Sequence, residues 1–290
     1  MTQANPTLKP GRRPLVAVMS SGFFGFFAHA GFLAGLAELG LEPDAYAGSS
    51  SGALVAALAA GGVGPAEMLA GFRRLRKEDF WDPMPRARFI KHLLRGLKGM
   101  TGYLQGRAFA DILARTLPAL TFEQCRRPCL ICALDPDRGR RVVFTQGSLI
   151  EAVQASGAVP MLFEPVRSRG RLLLDGGLVD KAPVTSAARH FQAQSLVVHL
   201  LPSASLEQPP GAYLRRKASP AGLFYRAIDA ARQQNYQDQL DQARRDGLRV
   251  RQVVSAGMPR PGPKRLHLGP AAFDQARRRT IKALQSQGRR

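Results

Sequence analysis

Apolar and polar positions over the first 62 residues alternate in blocks that are typical of a buried α/β core. The apolar run 15–21 predicts a strand, and apolar residues at helical spacing predict a helix over 28–39. A short strand near 44–48 and a helix over about 51–60 follow, and that helix consists almost entirely of alanine, leucine and valine. A helix that is apolar on every side must be buried, so this pattern predicts an α/β fold with a mainly parallel sheet and helices on both faces.

The pattern of strands and helices resumes after a more polar, helical region at 62–118. The later predicted elements are a hairpin turning at 135–139, a helix over 148–157, strands at 171–177 and 195–202, a helix over 221–245, a strand at 249–255 and a helix over 271–285. The segment 265–269 is also predicted to form part of the sheet. We therefore predict a flexible segment 1–13 and a single domain over 14–285, with 62–118 as a helical insertion or lid and 203–290 as a basic C-terminal part.

The segment 14–37 contains no Asp, Glu, Lys or Arg, which fits either a secretion signal or a buried strand followed by a helix. Four glycines and several polar side chains interrupt it, and no small-residue cleavage site precedes a polar region. These features favour the buried strand and helix. The three cysteines lie within 125–132, which leaves no spaced disulfide framework and favours a reducing compartment. We therefore expect a cytoplasmic protein.

The charge of the chain predicts an anionic partner. Lys and Arg number 42 against 21 Asp and Glu, for a formal net charge of +21, and residues 203–290 hold 18 of these cations against 6 acidic residues. Such a charge attracts phospholipid surfaces or nucleic acid. No recognised nucleic-acid-binding motif accompanies it and aromatic residues are sparse in the last third, so we expect no nucleic acid partner.

The predicted helix 86–98 is amphipathic and basic. Its apolar stripe consists of Phe89, Ile90, Leu93, Leu94 and Leu97. This pattern is typical of a helix that lies on an anionic membrane, and equally of a surface helix that packs its stripe against the core and leaves a solvated basic face. The basic run 277–279 near the C-terminus allows the same two interpretations. The sequence thus predicts peripheral binding to an anionic membrane without deciding which residues make it.

The segment Gly48-Ser49-Ser50-Ser51-Gly52 fits the pattern G-x-S-x-G between a predicted strand and a buried helix. A serine in a tight turn from strand to helix needs small neighbours, and the helix directs its free N–H groups and positive end of its dipole at that serine. Ser50 is therefore a candidate nucleophile. The other interpretation is a turn in which glycines allow close packing and serines cap the helix.

A serine nucleophile needs a base, and the sequence offers two kinds. One is a histidine of a Ser…Asp…His triad, with His190, His199 or His267 as the candidate. The other is Asp175, which ends a predicted strand and is followed by two glycines. Glycines at these positions would let the carboxylate approach Ser50 without obstruction.

Three segments in order and spacing resemble the signature blocks of patatin-like phospholipases. They are "VAVMSSGFFGFFAHAGFLAGLAELGLEPDAYAGSSSGALVAALAAGG", "VVFTQGSLIEAVQASGAVPMLFEPV" and "RLLLDGGLVDKAPV", and the resemblance covers roughly residues 14–200. It implies a three-layer α/β/α patatin-like fold and hydrolysis of acyl esters in lipids by a Ser–Asp dyad, with no metal and no organic cofactor.

Carried over to this chain, the resemblance makes Ser50 the nucleophile and Asp175 the base, in motifs completed by Gly48, Gly52, Gly176 and Gly177. The backbone of Ser21 and Gly22 would form the oxyanion hole. The family's loop usually has a glycine triplet followed by a cationic residue, and here the cationic position is absent. A catalytically weak member that binds anionic lipid or a partner is therefore the alternative function.

Several other side chains are weaker candidates. The phenylalanines at 23, 24, 26 and 27 could line a pocket for an acyl chain, and core packing is the expectation for at least two of them. His29 is more typical of a core histidine than of a catalyst. Asp180 could hold the loop after the second motif. The cysteines at 125, 129 and 132 have no fourth ligand nearby, so we expect no metal site.

Overall fold

The computed structural model describes residues 14–207 and 219–287. Their ten strands are β1 Leu15–Met19, β2 Ala45–Ser49, β3 Gly102–Leu104, β4 Cys129–Asp135, β5 Arg140–Phe144, β6 Met161–Phe163, β7 Val166–Ser168, β8 Arg171–Asp175, β9 Ser195–Leu200 and β10 Arg249–Val254. The α-helices are α1 Phe26–Glu38, α2 Ser51–Gly61, α3 Pro65–Arg74, α4 Arg86–Leu94, α5 Arg107–Thr116, α6 Leu149–Ser156, α7 Val184–Phe191, α8 Pro220–Arg245 and α9 Gly269–Gln287.

The central sheet has the strand order β10-β9-β1-β2-β4-β8-β7, and β5 also pairs with β4. The five strands from β10 to β4 are parallel, whereas β5, β7 and β8 make antiparallel pairs. β3 and β6 form a separate two-stranded sheet. The predicted mainly parallel sheet is confirmed.

Helices cover both faces of this sheet because successive residues of each central strand point to opposite sides. In β1, Ala17 and Met19 pack in a core with α1, α2 and α9. Val16 and Val18 pack on the other face with α7 and α8, including the buried Tyr236. The predicted three-layer α/β/α arrangement is therefore confirmed.

Two strands meet end to end along one edge of β4. β5 occupies the other edge over Ile131–Asp135. β2 runs parallel to β4 as far as the pair Ser49 with Cys132, and β8 arrives from the opposite direction with Asp175 paired to Ala133. A strand has only two hydrogen-bonding edges, so β2 and β8 must share the remaining one. The residues that end these two strands are thereby brought together.

Most predicted elements differ from the observed ones by a few residues at their ends. The hairpin lies between β4 and β5 as predicted, and the segment 14–37 forms β1 and most of α1 within the core. The prediction of sheet at 265–269 was wrong, because Leu266–Leu268 form a short 3₁₀ turn that leads into α9. The predicted flexible segment 1–13 lies outside the described residues. Among those described, no helix is both long and apolar enough to cross a membrane.

Candidate active site

Ser50 lies in a sharp turn between β2 and α2. Its backbone angles are φ 55° and ψ −121°, a conformation that residues other than glycine rarely adopt. The turn places Ser50 immediately before the N-terminus of α2, where backbone N–H groups have no partner within the helix. The strand-to-helix context required by the G-x-S-x-G pattern is present.

The glycines on either side of Ser50 are required by close backbone contacts. A Cβ at Gly48 would lie 2.3 Å from the carbonyl oxygen of Gly52, and a Cβ at Gly52 would lie 2.3 Å from the carbonyl oxygen of Met19. Both distances are far below van der Waals contact, and the obstructing atoms belong to the backbone. Glycine at position 48 is therefore needed for the turn to close on itself, and glycine at position 52 for the turn to pack against the end of β1.

The two glycines after Asp175 meet a similar constraint. A Cβ at Gly176 would lie 2.0 Å from the carbonyl oxygen of Cys132, and one at Gly177 would lie 2.4 Å from Cβ of Ser21. The second contact shows that the loop after β1 lies directly against the loop after β8. The Asp175 side chain approaches the same point, since its Oδ1 would be 2.9 Å from a Cβ at Gly177.

Asp175 is buried and lines the same cavity as Ser50. Its Oδ1 accepts the backbone N–H of Gly177 at 2.7 Å. Burial raises the pKa of the Asp175 carboxyl, while the hydroxyl of Ser50 and the positive charge of Arg232 oppose the rise. The structure therefore places the serine and the aspartate that the sequence singled out close together at one cavity.

The loop after β1 differs from the expected oxyanion hole at one donor. The backbone N–H of Ser21 donates to the carbonyl oxygen of Lys181 at 2.7 Å, so the donor predicted there is already used. This corrects the prediction for the Ser21 backbone. The N–H of Gly22 has no hydrogen-bond partner within the described ranges and remains available. Both residues line the same cavity as Ser50 and Asp175.

Two side chains that the sequence analysis did not single out contact this site. Oγ of Ser156, at the end of α6, accepts the backbone N–H of Ser50 at 2.8 Å. Arg232 of α8 donates through Nη2 to Oγ of Ser21 and lines the cavity. Ser156 lies inside a block that resembles the family, and its small side chain was the only signal. The sequence contained no signal for Arg232, because this residue lies 182 positions from Ser50 along the chain.

Two of the five histidines form a buried structural chain. Nε2 of His29 bonds to the carbonyl oxygen of Ser20 at 2.8 Å, Nδ1 of His29 to Nδ1 of His199 at 2.8 Å, and Nε2 of His199 to Oγ of Ser255 at 2.9 Å. A carbonyl only accepts, so His29 carries its proton on Nε2 and accepts from His199. Burial lowers the pKa of His29 to about 3. The nitrogens of both rings are thus engaged in hydrogen bonds that stabilise the core below the loop after β1.

The other histidine candidates of the triad lie on the surface. His190, near the end of α7, and His267, before α9, are both exposed, and neither lines a cavity that contains Ser50. Asp175, and none of the three histidine candidates, lines a cavity together with Ser50.

The remaining candidates hold the structure around the site. Asp180 is buried, pairs with Arg141 of β5 and accepts a hydrogen bond from Gln239 of α8 at 2.8 Å. The cysteines at 125, 129 and 132 are buried free thiols. In the ranges 14–207 and 219–287 no three His, Cys, Asp or Glu side chains are grouped so that they could hold a metal ion.

Two cavities of different character open onto Ser50. One, of about 770 Å³, contains Ser21, Asp175 and Arg232 and carries further basic side chains from 260–265. The other, of about 550 Å³, is lined mainly by apolar side chains of α2, α3 and α5. Volumes of this size suit small-molecule ligands. The site can therefore receive a polar group on one side of Ser50 and an apolar chain on the other.

The four phenylalanines of the loop after β1 divide between core and cavity. Phe27 is fully buried in the core, as expected for part of this set. Phe23, Phe24 and Phe26 line the apolar cavity, and Phe23 is 62% exposed. Phe27 is thus one core phenylalanine. Phe26 is half-buried and packs on Phe72 at the edge of the same core, so the expected two are reached only when Phe26 is counted.

The chain is similar to known proteins over the segment that contains these residues. A family model for patatin-like phospholipases matches residues 17–188. An uncharacterized NTE family protein of Mycobacterium tuberculosis is 33% identical over 176 residues, which are 61% of this chain and 46% of that protein. A second one from this organism is 30% identical over 189 residues, 65% of this chain and 30% of that protein. The chain spans less than half the length of these curated relatives.

Two solved structures align with most of this chain at low sequence identity. VipD from Legionella pneumophila has a TM-score of 0.47 at 15% identity, with 95% of this chain and 67% of VipD covered. The type III effector ExoU of Pseudomonas aeruginosa has a TM-score of 0.43 at 15% identity, with 95% and 53% covered.

The close contact at Gly52 predicts a large effect of one methyl group. We expect Gly52→Ala to lower the free energy of unfolding by roughly 1–3 kcal/mol, because its Cβ must displace the backbone of β1. Gly71→Ala is the matched control, since Gly71 lies exposed in α3 with open space around it and should gain about 0.5–1 kcal/mol. Urea unfolding measures both. Equal stability of the two variants would contradict the packing described for the turn.

Proposed function

Since the chain belongs to the patatin-like phospholipase family, we propose that it is a serine acyl hydrolase that cleaves carboxylic esters of lipids with Ser50 and Asp175. One observation carries this proposal. Ser50, in a strained turn at the start of α2, lies close to the buried carboxylate of Asp175 and lines two cavities.

The first half of the reaction acylates Ser50. As Oγ attacks the ester carbonyl, its proton passes to Asp175 and an electron pair moves onto the carbonyl oxygen. The tetrahedral intermediate then collapses, the carbonyl re-forms, and the leaving alkoxide takes the proton from Asp175. The N–H of Gly22, together with the N-terminus of α2, is available to stabilise the negative oxygen.

The second half releases the fatty acid. Asp175 takes a proton from a water molecule, and the resulting hydroxide attacks the acyl carbonyl. Collapse of the second tetrahedral intermediate frees the acid and returns the proton to Ser50. Burial favours this role because it raises the pKa of Asp175, which makes the carboxylate a stronger base than an exposed aspartate.

The cavities on the two sides of Ser50 support a lipid substrate. The apolar cavity offers phenylalanine and leucine side chains to an acyl chain, and Phe23 lies at its exposed edge. The other cavity contains more cations than carboxylates, which favours a polar head group with negative charge.

A catalytically weak protein that binds anionic lipid or a partner is the second candidate. The bond from the Ser21 N–H to Lys181 supports it, because a used donor cannot bind an oxyanion. The experiment below separates the two functions.

The dyad predicts loss of esterase activity in two variants. Purified chain with EDTA should release p-nitrophenol from short- and medium-chain acyl esters. Ser50→Ala should fall to background, and Asp175→Asn by about 100- to 10,000-fold, because the general base is lost. Ser49→Ala is the matched control, since Ser49 is buried beside Ser50 and its hydroxyl has no hydrogen-bond partner among the described residues. It should keep activity, with folding checked by circular dichroism.

The pH profile of kcat/KM gives a second readout of this dyad. Asp175 must be ionised to act as a base, and its pKa is raised above the ordinary 3.8. Activity should therefore fall with decreasing pH through a midpoint above that value. Full activity in Asp175→Asn would exclude Asp175 as the base, whereas a wild-type chain inactive on these esters and on a lipid panel would favour the binding protein.

We further propose that α4 docks the protein on an anionic membrane. In the structure, α4 contains no buried residue. Phe89 is half-buried against the ring of Tyr103, whereas Ile90, Leu93 and Leu94 face solvent, with Leu94 83% exposed. The exposed apolar side chains Ile90, Leu93, Leu94 and Leu97 form the proposed docking surface. Their exposure argues against packing on the core, and the basic residues around them suit anionic head groups.

The docking surface adjoins other exposed apolar residues near the site. Arg88 of α4 pairs with Glu164 at 2.9 Å, directly after β6. Met161 of β6 is exposed and accepts a hydrogen bond from Tyr225 of α8 at 3.0 Å. Val159, two residues before Met161, lines both cavities at Ser50. A membrane bound at this surface would therefore lie close to the entrance of the site.

Vesicle sedimentation tests this surface. The double variant Leu93→Asp, Leu94→Asp should weaken binding to vesicles of anionic phospholipid at least tenfold, because each leucine loses roughly 1.5–3 kcal/mol of burial. Val143→Asp on β5 is the matched control, as it also places a carboxylate at an exposed apolar position. Unchanged binding of the double variant, or equal binding to neutral vesicles at high salt, would overturn the docking proposal.

A further inference from the structure

The cation nearest the loop after β1 comes from the C-terminal part of the chain. Arg232 lies on α8, beyond the residues that the family model matches. Its Nη1 pairs with Asp229 at 3.0 Å, and Asp229 in turn accepts a hydrogen bond from Ser205 at 2.6 Å. The Arg232 side chain is 18% exposed, and its buried Nε has no partner in the described ranges. The guanidinium is thus held beside Ser21, and its Nε–H remains available as a donor.

The direction of the hydrogen bond between Arg232 and Ser21 follows from their chemistry. A guanidinium carries only donors, so Ser21 Oγ must be the acceptor. The hydroxyl hydrogen of Ser21 is then free to bind another acceptor. A hydroxyl that accepts from a cation becomes a stronger donor, because the positive charge polarises its O–H bond.

We propose that the hydroxyl of Ser21, held and polarised by Arg232, is the second oxyanion donor beside the N–H of Gly22. This inference rests on the proposed hydrolase function. Ser21 lies against Gly177, adjacent to Asp175, and lines the cavity at Ser50. Its hydroxyl replaces the backbone donor that Lys181 occupies. Ser21 is therefore a catalytic residue, and Arg232 a positioning residue that acts through it.

Arg232 also acts on the site through its charge. Its positive charge opposes the rise in the pKa of Asp175 that burial causes. Together with burial, which is the larger cause, it lowers the pKa of Lys181 to about 8. Arg232 is thus close enough to Asp175 for its charge to stabilise negative charge there. A charge that develops on the substrate oxygen between Ser50 and the loop would be stabilised in the same way.

Steady-state kinetics with p-nitrophenyl esters tests the inference in the full chain. Ser21→Ala should lower kcat about 100- to 1000-fold with KM within threefold, as expected for a donor used only in the transition state. Arg232→Gln should lower kcat at least tenfold, and Arg232→Lys should recover part of it. The double variant Ser21→Ala, Arg232→Gln should lose less kcat than the product of the two single losses, because Arg232 acts in part through Ser21.

The matched control is Arg244→Gln, which removes an exposed arginine of α8 that pairs with Asp241 at 2.7 Å. It should leave kcat unchanged. Arg232→Gln should also move the acid limb of the pH profile upward, since the removed charge had lowered the pKa of Asp175.

Two outcomes would overturn the inference in distinguishable ways. If hydrolysis depends on Ser50 and Ser21→Ala keeps kcat within threefold, the Ser21 hydroxyl is not the donor and the proposed function stands. If the wild-type chain shows no hydrolysis that depends on Ser50, the proposed function fails and this inference fails with it. Ser21→Ala removes a single hydroxyl, so it keeps the test valid even if Arg232→Gln does not fold.

Discussion

The site depends on the shared edge of β4. β2 and β8 run toward each other along that edge, and their ends bring Ser50 and Asp175 together at one cavity. This arrangement leaves no room for side chains in the turns that follow, since a Cβ at Gly52 or Gly176 would meet backbone oxygens at 2.3 and 2.0 Å. The strained backbone of Ser50 is held by packing on both sides and by Ser156, whose Oγ accepts its N–H.

Burial and positive charge act against each other at Asp175. Removal from water raises the pKa of its carboxyl, and Arg232 and the donors around it lower that pKa. This balance links Asp175 to α8, which also covers one face of the sheet and holds Asp180 through Gln239. The C-terminal part is therefore integrated with the site, and its basic character places cations in the larger cavity as well as on the outer surface.

The central sheet and the motif glycines could be predicted from sequence because local patterns determine them. Alternating apolar residues mark β1, and glycines mark places where backbones touch. The role of Ser21 could not be predicted, since its N–H is used by Lys181, which lies 160 positions later. Arg232 was equally hidden among the 18 basic residues of 203–290. The wrong prediction of sheet at 265–269 arose because short apolar runs suit a 3₁₀ turn as well as a strand.

Mass spectrometry of the chain after reaction with an alkyl fluorophosphonate would test the central claim most directly. This reagent captures a serine only when a neighbouring base activates it and the site stabilises the negative oxygen. The account predicts a single adduct on Ser50, formed slowly or not at all in Asp175→Asn. Labelling of Ser49 or Ser51 instead, or no adduct in a folded chain that hydrolyses esters, would contradict it.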